Sequence, residues 1–270
     1  MTTRAPAPAK INLALVVGPR REHGRHEIAT LIQRVDLCDR VTVTRARELG
    51  VDGFAADTIV HAALNALAEA TGAEAAWQAR IEKVIPVAAG LGGGSSDAAT
   101  ALRLANATLE TPLPPDRLHD LARGLGSDVP FFLAAGPQLA TGDGTTLEPV
   151  DLPQDYVVLL ALPHDACKES TAAVYARFAG AAGFEDRRDR VAAIAATGVR
   201  PRDLAALPRN DLASSPLAAE LEALGAFRSD VSGAGPTVYA LFHHRAAAEE
   251  AARRMRSRAR VWITIPAWYG

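Results

Sequence analysis

Cysteine and lysine are almost missing from this chain. Its two cysteines, Cys38 and Cys167, are distant in sequence and form no CxxC pair. That excludes a disulfide framework, and two buried thiols in a reducing cytoplasm are the expectation. Lysine occurs only at Lys10, Lys83 and Lys168, so each of the three is easy to weigh. No run of about 18 apolar residues is present, which excludes a membrane-spanning helix. Residues 1–12 lack the charged-then-apolar profile of a secretory signal, so a cytoplasmic protein is expected. The formal charge is only −2, which argues against binding to nucleic acid or membrane through net charge. His, Cys and carboxylates show no metal-ligand spacing, and oligomeric state leaves no trace.

What is present is a soluble globular composition, with 49% apolar residues in 270. That is more chain than one ordinary core holds, so one large or two small domains are expected. Residues 10–17, KINLALVV, alternate as a strand, with Ile11, Leu13, Leu15 and Val17 on one face and Lys10 and Asn12 on the other. Strands are also expected at 35–45, 79–85, 131–133, 156–162, 238–242 and 260–265, and a Gly-Asp-Gly hairpin turn lies within 141–146. Helical spacing marks 59–70, with Asp57 or Thr58 as its cap, and then 96–108, 116–125, 170–178, 186–196, 217–224 and 246–258. Helices and strands intermix in both halves, which gives an α+β fold. The softest boundary lies near 149–154, dividing the chain into 1–150 and 151–270.

The stretch PVAAGLGGGSS spans Pro86, Val87, Ala88, Ala89, Gly90, Leu91, Gly92, Gly93, Gly94, Ser95 and Ser96. It stands between an expected strand and an expected helix. Glycines let backbone N–H groups approach an anion, and a helix start adds unpaired donors with partial positive charge. The serine hydroxyls can cap the helix or reach a phosphate oxygen or its Mg²⁺. No Lys-Ser/Thr follows the last glycine, so this is not a Walker A loop. Ser95 stands where a dinucleotide fingerprint needs its third glycine. A flexible turn remains the bland alternative for the loop alone.

Two further segments narrow the choice: GLGSDVPFF at 124–132 and SGAGPTVYALF at 232–242. With the opening APAKINLAL, their order resembles the small-molecule kinases that include galactokinase, homoserine kinase, mevalonate kinase and phosphomevalonate kinase. GRHEIATLIQRVDLCD at 24–39, ESTAAVYARF at 169–178 and RNDLASS at 209–215 extend the likeness nearly end to end. The resemblance implies a ribosomal-protein-S5-like N-terminal domain and a ferredoxin-like C-terminal domain. It also implies ATP with Mg²⁺, for which no protein ligand is assigned, and the glycine loop on the phosphates. The acceptor it implies is a small molecule, the 2-hydroxyl of a cytidine-diphosphate-linked methylerythritol.

By the same resemblance, Asp128 is the base that takes the hydroxyl proton and Lys10 stands beside it in the active site. On its own, Asp128 reads equally well as a turn or cap aspartate, and Lys10 as a solvated strand lysine. Asn12, on the Lys10 face, is a hydrogen-bond partner for substrate. Arg25 and His26 lie in the segment that meets the cytosine base, and Tyr175 flanks the base's other face. Where many relatives carry Gly-Tyr-His, this chain has Gly24-Arg25-His26, and a guanidinium can stack on a base in place of the aromatic. That departure keeps open a kinase of another small alcohol; a non-catalytic nucleotide-binding homologue is the alternative from a different class. Gly233 and Gly235 read as a second tight turn at the phosphate end, and Asp57 as a residue near the nucleotide or a plain cap.

Overall fold

The alternating run around Lys10 forms part of β1 (Thr2–Arg20), which pairs with β2 (His26–Ala46). Both strands are longer than the periodicity suggests, and residues 7–18 are buried without a break. The polar face carrying Lys10 and Asn12 is therefore turned inward, each residue being 4% exposed. A computed structural model describes residues 2–21, 24–54, 59–72, 76–166, 170–178, 180, 182–197 and 200–267. Cys167 and the expected caps Asp57 and Thr58 lie outside the described residues. Cys38 is half-buried on β2, short of the full burial expected.

The chain divides into two units, each discontinuous in sequence. One takes Met1–Ala9, Leu37–Val87 and Gly92–Ala134; the other takes Lys10–Asp36, Ala88–Leu91 and Ala135–Gly270. In the first, the end of β2 pairs antiparallel with β4 (Ala76–Glu82), Arg40 facing Glu82. A short strand absent from the sequence reading, β3 (Gly50–Asp52), adds parallel to β4. Against this sheet lie α1 (Ile59–Thr71) and α2 (Gly93–Asn106), and α3 (Pro115–Leu125) and α4 (Val129–Leu133) pack on those helices. Their shared core contains Val41, Val43, Leu64, Leu67, Trp77, Ile81, Leu102 and Val129. Trp77 is fully buried, yet its indole N–H is satisfied by Thr108 Oγ1 at 2.9 Å.

In the second unit, the start of β2 pairs with β5 (Gln138–Gly142), which forms a hairpin with β6 (Thr146–Pro149). The Gly-Asp-Gly segment is its turn, with the Gly144 N–H donating to the Thr141 carbonyl. After β7 (Val157–Pro163) come α5 (Thr171–Arg177), α6 (Phe184–Ala196), a 3₁₀ turn over Pro201–Ala206 and α7 (Pro216–Ala223). Then follow β8 (Arg228–Val231), β9 (Val238–Phe242), α8 (Arg245–Met255) and β10 (Ala259–Thr264). Four of these strands make an antiparallel sheet in the order β10-β7-β9-β8. Numbered in chain order that is 4-1-3-2, the split βαβ arrangement of ferredoxin-like domains. The fold class is mixed α+β, as expected. None of the described helices is long and apolar enough to cross a membrane.

One element differs in kind. The strand expected at 131–133 is the helix α4, with Pro130 in its first turn. Proline's fixed φ and missing N–H suit a helix start and would break a strand ladder. Its buried Val129 joins the first unit's core, and the buried Phe131 meets Phe132, ring centroids 5.0 Å apart.

Candidate active site

On β1, Lys10 Nζ donates to Asn12 Oδ1 at 2.6 Å. Asn12 Nδ2 donates in turn to Thr30 Oγ1 at 2.8 Å, and Thr30 donates to the Ala14 carbonyl at 2.7 Å. Strand alternation puts Lys10 and Asn12 on one face two residues apart, and this chain fixes their rotamers. A buried ammonium needs such partners, because desolvation without them is expensive.

The SGAGPT segment is the β8–β9 hairpin turn and meets the same group. A Cβ on Gly233 would lie 3.3 Å from Asn12 Oδ1 and 3.4 Å from Lys10 Nζ. Ser232 Oγ donates to the Gly90 carbonyl at 2.9 Å, and the Thr237 N–H to Ala89 O. The Lys10 N–H reaches Leu91 O, so residues 88–91 of the glycine loop are stitched to β1 and to this turn. Gly90 has no room for a side chain: a Cβ there would fall 2.1 Å from the Ser232 carbonyl oxygen. Ala88 sits in the left-handed region at φ 52 despite its methyl group.

The segment RND at 209–211 supports this arrangement. Asn210 Nδ2 holds the carbonyls of Val231 and Gly233 at 2.8 and 2.7 Å. Asp211 accepts the Val17 N–H at 2.8 Å and pairs with Arg187. Arg228, fully buried, donates to Tyr239 Oη and to the Leu207 and Pro208 carbonyls.

The rest of the glycine loop belongs to α2. That helix starts at Gly93, three residues before the expected start, with Gly92 as its cap at φ 68. The cap contributes no side chain, so Ser95 and Ser96 are first-turn residues and not caps. The first N–H groups of a helix have no internal acceptor, so this turn is able to receive an anion. Ser96 Oγ is buried and has no partner among the described residues. Upstream, Val84 and Val87 are the unusual case of large apolar side chains left about half exposed.

Beneath that turn lies a buried ion cluster that sequence reasoning missed. Lys83 Nζ pairs with Asp39 and, at 2.7 Å, with Asp97 Oδ2. Asp39 also accepts the N–H groups of Val84 and Ile85. Burial pushes the Asp97 carboxyl up; Lys83 pulls it back and Asp39 raises it again, leaving it at about 7. Burial works against the charge on Lys83, but Asp97 and Asp39 outweigh it and hold its pKa above the ordinary value. The scarcity of lysine was the available signal, since Lys83 stands only three residues before Pro86.

Asp128 is the half-buried residue preceding α4, with φ −85 and no capping bond from its side chain. The cap reading is therefore not what the geometry supports. In the second unit, His26 lies 5.9 Å from the Tyr175 ring and 5.6 Å from Phe178, centroid to centroid. Its Nδ1–H donates to the Gly18 carbonyl at 2.9 Å. Arg25 is exposed and pairs with Asp143 at 2.9 Å. Burial opposes the Asp143 charge, but bonds from Thr145 and Arg25 hold its carboxyl below the usual range. The described residues contain no cluster of His, Cys and carboxylates able to hold a metal.

Residues 58–136 match the N-terminal domain of the GHMP kinases and residues 208–261 their C-terminal domain. The chain is 37% identical to 4-diphosphocytidyl-2-C-methyl-D-erythritol kinase from Geobacter sulfurreducens, covering 93% of this chain and 94% of that protein. The same-named protein of Salinispora tropica is 38% identical, over 93% of this chain and 87% of its own length. The chain belongs to the 4-diphosphocytidyl-2-C-methyl-D-erythritol kinase family. A crystal structure of 4-(cytidine 5'-diphospho)-2C-methyl-D-erythritol kinase superposes with a TM-score of 0.80 at 30% identity, covering 98% of this chain and all of that one. A homoserine kinase from Cytophaga hutchinsonii, at 16% identity and a TM-score of 0.74, shares the fold over 99% of this chain and 95% of its own.

Proposed function

We propose that this protein transfers the γ-phosphoryl group of ATP to the 2-hydroxyl of 4-diphosphocytidyl-2-C-methyl-D-erythritol. The observation that carries the reading is the buried Lys10–Asn12 pair at 2.6 Å, an ammonium held in fixed geometry in a chain of this family. Phosphates bind to backbone N–H groups between Pro86 and Ser96, and the exposed Val84 and Val87 offer apolar surface to the adenine. Asp128 accepts the hydroxyl proton as the alcohol oxygen attacks the γ-phosphorus; the bond to the bridging oxygen breaks and ADP leaves. The transition state of phosphoryl transfer is loose, so a weak base suffices and alignment carries more of the rate. Lys10 stabilises charge developing on the oxygens, and Asn12 orients the acceptor. Arg25, His26 and Tyr175 receive the cytosine, the guanidinium replacing an aromatic face.

Mg²⁺ comes with ATP and neutralises phosphate charge. Residues 1–150 form the nucleotide-binding kinase domain and 151–270 the C-terminal kinase domain. The protein works in the cytoplasm on small molecules, with no nucleic-acid or membrane partner. The test is ADP release in a coupled assay with the cytidylylated methylerythritol, homoserine and mevalonate as competing acceptors. Turnover with the first alone supports the proposal; preference for either of the others overturns the substrate.

A further inference from the structure

We infer that Asp97 is a positioning residue of the phosphate loop whose carboxylate becomes more protonated, drawing on solvent, as nucleotide binds. The inference rests on the proposed seating of ATP phosphates at the start of α2. Asp97 is one helical turn beyond Gly93 and 1% exposed, and its Oδ1 has no partner among the described residues. Its other oxygen meets Lys83, which must also serve Asp39. Two carboxylates thus share a single ammonium in a largely buried site, leaving one negative charge in excess.

The cluster also spans both ends of the loop. Asp39 grips the backbone at Val84 and Ile85, before the glycines, while Asp97 lies just after them. Lys83 ties the two together, and its Nζ would lie 3.3 Å from a Cβ on Gly93. The loop's span is thereby set by charges as well as by backbone.

Lys83 and Asp39 are the charged groups that act on Asp97. The neighbouring helices α1, α3 and α4 contribute apolar side chains to the core they share with α2, among them Leu64, Ala122 and Val129. With so little screening, a polyanion arriving at the first turn of α2 raises the cost of the excess negative charge. Protonation of Asp97 removes it, and the carboxyl proton can be donated to Asp39. A midpoint of about 7 puts this exchange within reach at neutral pH. The sign follows: the bound state favours protonated Asp97, so affinity weakens as pH rises through 7.

The test is calorimetric titration of the full chain with ATP in excess magnesium, acceptor absent, in two buffers of different ionisation heat. If binding raises the Asp97 midpoint by one unit, uptake peaks at about half a proton near pH 7.5 and Kd weakens about tenfold between pH 6 and pH 9. Asp97→Asn should bind with uptake near zero and a flat pH profile after the nucleotide's own titration, common to both proteins, is subtracted. Equal uptake in the two proteins overturns the inference. Should the variant not fold, wild-type uptake below about a tenth of a proton overturns it equally well. Binding without uptake leaves the kinase proposal standing, whereas no binding at all removes both.

Discussion

Tyr239 donates its hydroxyl proton to the carbonyl of Leu13 at 2.9 Å, joining strands 226 residues apart in the chain. The same hydroxyl accepts from Arg228 Nε at 3.0 Å. It is a relay between the C-terminal sheet and the strand that carries Asn12. Tyr239→Phe deletes the relay, leaving a buried guanidinium N–H and a strand carbonyl short of partners. We expect a loss of about 1–3 kcal/mol, read from urea denaturation. A midpoint and slope identical to wild type would contradict this.

Asp128→Asn keeps the shape of the residue before α4 and removes its basicity. Turnover should fall by about a hundredfold or more, with ATP affinity near normal. A variant retaining over about a tenth of the wild-type rate would show that the proton goes elsewhere.

Gly93→Val places a Cβ 3.0 Å from Ile85 Cγ2 and 3.3 Å from Lys83 Nζ, and crowds the first turn of α2. Gly94→Ala meets only Ile59 Cδ1, at 3.6 Å. Calorimetry should show ATP affinity weakened by about tenfold or more for the first and much less for the second, since backbone approach is what the anion needs. Unchanged affinity in Gly93→Val would refute the loop's role.

Tyr175 and His26 form an aromatic pair beside Phe178. If Tyr175 flanks the base as proposed, Tyr175→Ala should raise KM for the cytidylylated acceptor severalfold and leave KM for ATP alone, because only the acceptor brings a cytosine. Equal rises in both constants would remove Tyr175 from the base pocket.

The Asp97 carboxyl lies at about 7 against an ordinary 3.8. A folded-state value above the unfolded one contributes stability that is complete below about 4 and lost as pH rises to 7. The melting temperature of wild type should therefore fall relative to Asp97→Asn over that interval. A constant difference between the two proteins from pH 4 to 8 would show that Asp97 does not titrate there.

Periodicity exposed the long helices and the strands around Leu13, Leu159 and Val43, because each buries one regular stripe or run. It could not reveal β3, at three residues too short to show a period, or β8, whose Arg228, Ser229 and Asp230 are buried yet polar. In β8 tertiary hydrogen bonds overrule residue type. Pro130 carried the signal for α4, but the aromatic pair after it reads as strand when taken alone. The glycine loop was visible as a loop; that its helix begins at Gly93 depends on the left-handed conformation of Gly92, which glycine allows and composition does not require. The Lys83 cluster joins positions 39, 83 and 97 through folding, so no local spacing marks it.

The interleaving of the two units sets the order in which their parts become available during synthesis. Everything in the first has been synthesised once Ala134 emerges from the ribosome, whereas the second still lacks β10 and the Val35–Pro266 bridge. Lys10, made almost first, thus belongs to the part that is finished last. A nascent chain arrested midway would carry all of α2 while Lys10 still lacked Gly233, the turn residue beside its ammonium.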